Sequence, residues 1–321
     1  MTEALRLEDV WKRYATHIAV RELSLSVPTG TIYGILGPNG AGKSTTLRMV
    51  MNIIASDAGT IRVLGAEPKS RDVLRRVGYL PEERGLYRRM SVIDVIVFFG
   101  RLKGMTRVAA RRAAGDWLER MGLGDWRSAR VDSLSKGMQQ KVQFITTVLH
   151  GPELLILDEP QSGLDPVNQE VLRETILKTR ADGGSVVLST HNMDQAETLC
   201  DSVCIIAGGR KVLDGGVSEV RRRYRGDRYR LVLDADRITA EDIACVDRVL
   251  SASTTSCERE ESVVSWTMEL NGGLSHELLQ RIATLEVPVD RFERISPTLH
   301  EIFIEQVGAA ARTPRREVAD A

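Results

Sequence analysis

One segment constrains this chain more than any other: Gly37-Pro38-Asn39-Gly40-Ala41-Gly42-Lys43-Ser44-Thr45, which fits G-x-x-x-x-G-K-[ST]. It follows an apolar run, Thr31–Leu36, and opens a helical pattern over Lys43–Ile54, so the sequence reads strand, glycine loop, helix. The glycines let successive backbone N–H groups turn toward phosphate oxygens, and the helix N-terminus adds partial positive charge. Lys43 can reach β- and γ-phosphates, and the Ser44 hydroxyl can ligate Mg²⁺. The loop alone does not separate ATPases from GTPases or small-molecule kinases, although no Asn-Lys-x-Asp guanine element follows.

Further apolar runs at Ile61–Leu64, Leu154–Leu157, Val186–Ser189 and Val203–Ile206 alternate with helical patterns, which predicts an α/β layered domain. Between about residues 85 and 150 the pattern turns helical, near Val92–Lys103, Val108–Met121 and Lys136–Leu149, as a helical insertion would. The basic stretch Arg221-Arg222-Arg223-Tyr224-Arg225 reads as a solvated helix end at a boundary. Beyond it, strands at Tyr229–Leu233, Val263–Leu270 and Val289–Arg294 and helices at Leu274–Leu285 and from Pro297 to about Val307 make a small α+β unit. The expected domains are therefore 1–225 and 226–308, with 309–321 a disordered tail of small, charged residues.

Lys plus Arg and Asp plus Glu both number 44, so no general positive field supports a nucleic-acid partner, and none is expected. Cys200, Cys204, Cys245 and Cys257 show no metal-ligand pattern and read as reduced thiols, which fits a cytosolic setting. Met1–Val10 is mixed and polar, so no signal peptide is expected, and no window approaches the ~18–20 apolar residues that cross a bilayer. A membrane role would have to work by docking.

Leu154–Leu157 delivers Asp158 and Glu159 to the C-terminal end of a strand, where α/β sheets bind ligands. Asp158 is placed to bind Mg²⁺ directly or through water. Glu159 could orient and deprotonate an attacking water. The alternative is a pair of acids capping the next helix.

The phosphate loop, Leu157-Asp158-Glu159-Pro160, Ser162-Gly163-Leu164-Asp165-Pro166 and Ser189-Thr190-His191 occur in that order. Leu134-Ser135-Lys136-Gly137-Met138-Gln139-Gln140 precedes the acidic strand. Over about residues 4–220 this resembles the ATP-binding cassette of ABC transporters. The resemblance implies a P-loop NTPase cassette, a mixed core sheet with a helical subdomain, that binds ATP and Mg²⁺. Tyr14 resembles the residue that stacks on adenine, core packing being the alternative. Ser135, Lys136, Gly137 and Met138 would meet ATP held by a second cassette. Asp165 would lie in the loop linking the two sites, and His191 would contact the γ-phosphate. Glu82 stands where the family commonly has Gln, Lys136 where it has Gly, and Met138 where it has Gln. Glu82 would join Ser44 and Asp158 at Mg²⁺, adding negative charge beside phosphates.

Pro81-Glu82-Glu83-Arg84-Gly85-Leu86-Tyr87 and the Leu134–Lys141 stretch resemble bacterial exporters of drugs, antibiotics or sodium ions. Ser296–Ile304 is similar to the end of the accessory domain those ATPases carry. The resemblance implies a homodimer, or a heterodimer with a related cassette, driving a separate polytopic permease from the cytoplasmic face of the membrane. Val92, Val95, Ile96 and Phe99 would either line the groove for that permease or pack internally. A soluble ABC-type ATPase, or an ATP-binding regulatory module, is the alternative. The cargo is not written in this chain, since the permease would read it.

Overall fold

The first strands alternate as a sheet with one wet face should. In β1 (Glu3–Tyr14), Leu5 and Leu7 are buried while Arg6 and Glu8 face solvent. β2 (His17–Pro28) turns Leu23, Leu25 and Val27 inward in the same rhythm. β3 (Ile32–Leu36) does not alternate, since every residue in it is buried. After it come α1 (Lys43–Val50) and β4 (Ala58–Val63), which pairs antiparallel with β1 in a sheet of order β2-β1-β4. The computed structural model describes residues 2–83, 85–250, 254–260, 262–269, 275–284 and 287–312.

α2 (Arg71–Arg76) leads into β5 (Val77–Leu80), and the helical insertion follows as α3 (Val92–Leu102), α4 (Arg107–Arg120) and α5 (Lys136–Val148). Ser91, Thr106 and Ser135 cap these helices, each side chain accepting from the N–H three residues on. Val92, Val95 and Ile96 are buried in this insertion, and Phe99 is half-buried. Internal packing is therefore where most of that apolar run goes.

β6 (Leu154–Asp158), α6 (Pro166–Ala181), β7 (Ser185–Thr190), α7 (Met193–Leu199), β8 (Ser202–Ala207) and β9 (Arg210–Gly216) complete a mixed sheet of order β5-β6-β7-β3-β8-β9. Only the β8–β9 pair in it is antiparallel. β6 and β7 are buried throughout, as parallel strands covered on both faces must be. One core joins Tyr33, Ile35, Ile156 and Val187 to Leu47 and Val50 of α1 and to Leu5, Leu7 and Leu23. Each such side chain contributes roughly 1.5–3 kcal/mol by leaving water. α7 packs on β3 and α6 on β7.

α8 (Val217–Arg223) contains the point at which the chain divides into two compact units, Ser218–Ile302 and the rest. The smaller unit runs β10 (Arg228–Asp234), α9 (Ala240–Leu250), β11 (Thr254–Glu260), β12 (Val263–Glu269), α10 (Ser275–Ala283) and β13 (Arg291–Arg294). Its antiparallel order, β11-β12-β10-β13, with helices after the first and third strands, is the split βαββαβ arrangement. Leu231, Leu233, Val246, Leu250, Trp266 and Met268 form its core. α9 and β11 were not among the sequence expectations. α11 (Leu299–Arg312) runs past the expected helix end, so residues 309–312 are helical, while 313–321 of the expected tail lie outside the described residues. No helix among the described residues is long and apolar enough to cross a membrane.

Candidate nucleotide site

β3 ends at Leu36, and the chain turns at once into the phosphate loop. Gly42 has φ 105 and caps α1; a Cβ there would stand 2.4 Å from the Ala19 carbonyl oxygen. Gly37 is equally confined, a Cβ meeting Ile206 O of β8 at 2.1 Å. Backbone freedom and lack of bulk are both needed at these positions. Lys43, 6% exposed, donates from Nζ to Gly37 O at 2.8 Å and to Pro38 O at 3.3 Å.

The adjoining strands supply the acids. β7 lies between β3 and β6, with Asp158 opposite Ser189 and Leu36 opposite Thr190. Asp158 Oδ1 therefore accepts from Ser189 Oγ, and Ser44 Oγ reaches the same oxygen at 3.1 Å. Glu159 follows with φ 45, a conformation that costs a non-glycine residue about 1–3 kcal/mol and clusters at functional sites. Its N–H donates to Ser189 O at 3.1 Å. Its Oε2 lies 3.0 Å from His191 Nδ1, and its Oε1 makes a 3.4 Å ion pair with Lys43 Nζ. A helix-capping role is ruled out for Glu159 by these partners, and Asp165 instead caps α6.

A cavity of about 260 Å³ opens over the loop, lined by Asn39, Gly40, Ala41, Gly42, Lys43, Ser44 and Thr45 with Glu82, Glu159, His17 and Ala19. Tyr14 is 43% exposed rather than packed in the core, and its ring stacks on His17 at 5.4 Å between centroids. The two residues face each other across the β1–β2 hairpin, Tyr14 opposite His17 in register, which is why they meet. Sequence reasoning missed His17 and Ala19, for which no motif exists; hairpin pairing with Tyr14 was the available signal.

Ser135, Lys136, Gly137 and Met138 do not line that cavity. Ser135 and Lys136 are exposed where α5 begins, and Ser135 Oγ accepts from Met138 N at 3.2 Å. A Cβ on Gly137 would lie 3.2 Å from Gly163 O, and Lys141 Nζ of α5 lies 3.9 Å from Asp165 Oδ2. The signature and Asp165 segments are thus neighbours. Bonds from the Asn168 backbone N–H and side-chain amide hold the Asp165 carboxyl below its ordinary range.

The donors suit a hard divalent cation. Asp158 Oδ2 is buried without a hydrogen-bond partner among the described residues, and the Ser44 hydroxyl is beside it. No group of three or more His, Cys, Asp or Glu that could hold a metal occurs among the described residues. Phosphate oxygens and water would have to complete the shell, which is how Mg²⁺ is usually bound.

Phosphate loop, acidic strand end and histidine, joined by the parallel strands of a mixed sheet and a helical insertion, define a P-loop nucleoside triphosphatase of the cassette class. The chain belongs to the ATP-binding proteins of ABC transporters, matching the ABC transporter family over residues 20–162. Residues 215–307 match the C-terminal domain of DrrA1-3-like ATP-binding proteins. An uncharacterized ABC transporter ATP-binding protein of Bacillus subtilis (strain 168), YhaQ, is 39% identical over 95% of this chain and 99% of its own length. Nod factor export ATP-binding protein I of Burkholderia orbicola (strain AU 1054) is 39% identical over 64% of this chain and 69% of its own. A solved ATP-binding subunit of an ABC transporter superposes with TM-score 0.65 and 29% identity, covering 69% of this chain and 93% of that one. The protein is an ATP-binding, ATP-hydrolysing transporter subunit.

Proposed function

We propose that two such cassettes close around two ATP molecules at the cytoplasmic face of the membrane and drive export through a separate polytopic permease. The observation that carries this reading is the position of Ser135–Met138 beside the Asp165 loop and outside the phosphate-loop cavity of their own chain, with Ser135 and Lys136 exposed. These residues have no nucleotide of their own to meet. A second cassette, identical or related, would bring one.

In this mechanism the loop N–H groups and Lys43 bind the β- and γ-phosphates, and Tyr14 stacks on adenine. Ser44, Asp158 and Glu82 would hold Mg²⁺, which neutralises phosphate charge. Glu159 orients the attacking water and takes its proton, while His191 fixes the carboxylate and reaches the γ-phosphate. Ser135, Lys136, Gly137 and Met138 contact the partner's ATP from the N-terminal end of α5, where the helix charge favours phosphate. Tighter binding of ATP to the closed pair shifts the permease's equilibrium, and hydrolysis resets it.

Tyr87, Phe98 and Leu102 are exposed, Tyr87 and Phe98 meeting edge-to-face at 5.3 Å. This aromatic surface suits an apolar segment of the permease. The deciding experiment is purification of the tagged chain from detergent-solubilised membranes of its source cells. A polytopic membrane protein in about one-to-one ratio is expected, lost with Phe98→Asp. Recovery from the soluble fraction alone would favour the soluble ATPase reading.

A further inference from the structure

The helix that carries the signature residues also grips the loop that carries Glu82. Gln143, on α5 and 4% exposed, donates from Nε2 to Pro81 O at 3.2 Å and to Glu83 O at 3.1 Å. Those carbonyls flank Glu82 on its two sides. One turn along, the Thr147 hydroxyl shares its proton between Gln143 O at 2.9 Å and Tyr79 O at 3.2 Å. Positions 143 and 147 share a helix face, so one face of α5 holds the end of β5 and the loop beyond it. The two acids of that loop then part company. Glu83 Oε1 accepts from Arg48 Nη2 of α1 at 3.1 Å. Glu82 has no hydrogen-bond or ion-pair partner among the described residues, and it lines the cavity with Ser44 and Glu159.

We propose that Gln143 is a positioning residue for the ATPase reaction, fixing Glu82 relative to Ser44 and Asp158 through the backbone on both sides of it. A neutral amide suits the task because one nitrogen brings two N–H donors, enough for both carbonyls. Ser135 caps the same helix, about 12 Å away at ~1.5 Å rise per residue. Ser135 and the loop of Glu82 are thus held by one helix. This inference rests on the reading of Glu82 and Ser135 given under the proposed function.

The test is the gain in affinity for a non-hydrolysable ATP analogue on adding Mg²⁺, titrated calorimetrically with Mg²⁺ and with EDTA on the full chain. Glu82→Gln is expected to shrink that gain. Gln143→Met, which removes both donors and keeps an unbranched chain, is expected to shrink it by on the order of tenfold, as losses behind a metal ligand usually do. The double variant should lose no more than Glu82→Gln alone, and affinities in EDTA should hold. A purely structural effect would move both conditions together and leave the gain unchanged, which overturns the inference, as does an additive loss in the double variant. If Glu82→Gln itself changes nothing, the reading of Glu82 falls and the positioning role falls with it. Should Gln143→Met fail to fold, Gln143→Asn keeps the amide with a shorter reach. An undiminished gain in that variant would equally overturn the proposal.

Discussion

His191 Nδ1 stands 3.0 Å from Glu159 Oε2, so the imidazole at the end of β7 holds the carboxylate just beyond β6. Neighbouring parallel strands make this contact almost unavoidable once both residues lie one step past their strands. Glu159→Gln should lower phosphate release about 10²–10⁴-fold, the usual worth of a general base, while ATP binding survives. His191→Ala should also slow release, yet add little on top of Glu159→Gln, because the two act as a unit. Steady-state phosphate assays on the three variants check both statements.

The phosphate loop tolerates side chains unevenly. Gly42→Ala places a methyl 2.4 Å from the Ala19 carbonyl at φ 105, whereas nothing lies within 4 Å of a Cβ on Gly40. Gly42→Ala is expected to cost several kcal/mol and nucleotide binding, since strained backbone and steric overlap coincide there. Gly40→Ala, at φ 78, carries the backbone penalty alone, about 1 kcal/mol. Denaturant midpoints will rank the two.

His150 gives the larger unit a dependence on acidity. Burial, and then the nearby Lys103 ammonium, push its imidazole down to about 4. The unfolded chain takes up that proton near pH 6.5 and the folded one does not until about pH 4. Stability linked to the neutral ring is therefore full above pH 6.5 and is lost as pH falls toward about 4. Discounted for partial exposure, the loss is about 1–2 kcal/mol. Urea midpoints at neutral and mildly acid pH should separate for the wild type, and separate less for His150→Gln.

In the smaller unit Trp266 is fully buried, and its Nε1 donates to Asp247 Oδ1 at 2.6 Å. Trp266→Ala should cost about 3–5 kcal/mol there. Circular dichroism melts should show an early transition that the wild type lacks.

Much of the larger unit was legible because its strands are contiguous apolar runs next to motifs of fixed chemistry. Leu154–Asp158 and Ser185–Thr190 announce themselves in this way. β11 does not: Thr-Thr-Ser-Cys-Glu-Arg-Glu has no apolar alternation and is a strand because it pairs with β12. α9 buries only Val246 and Leu250 fully, too thin a stripe to stand out among its polar neighbours. At the site, the residue types were readable and their tertiary consequences were not. Neither the positive φ of Glu159 nor the grip of Gln143 on two carbonyls leaves a local pattern.

The order of the central strands also has a temporal side. β3 and β6 carry the phosphate loop and the acids, but β7 lies between them and is made later. A chain emerging from the ribosome as far as Asp158 can pair β6 with β5, but β3 still lacks both of its neighbours, β7 and β8, and the other edge of β6 lacks β7. Pairings this distant along the chain are slow to close and leave sticky edges exposed meanwhile. Synthesis beyond Thr190 is thus the earliest moment at which this subunit can acquire its chemistry, and the interval before it is when the chain most needs a chaperone.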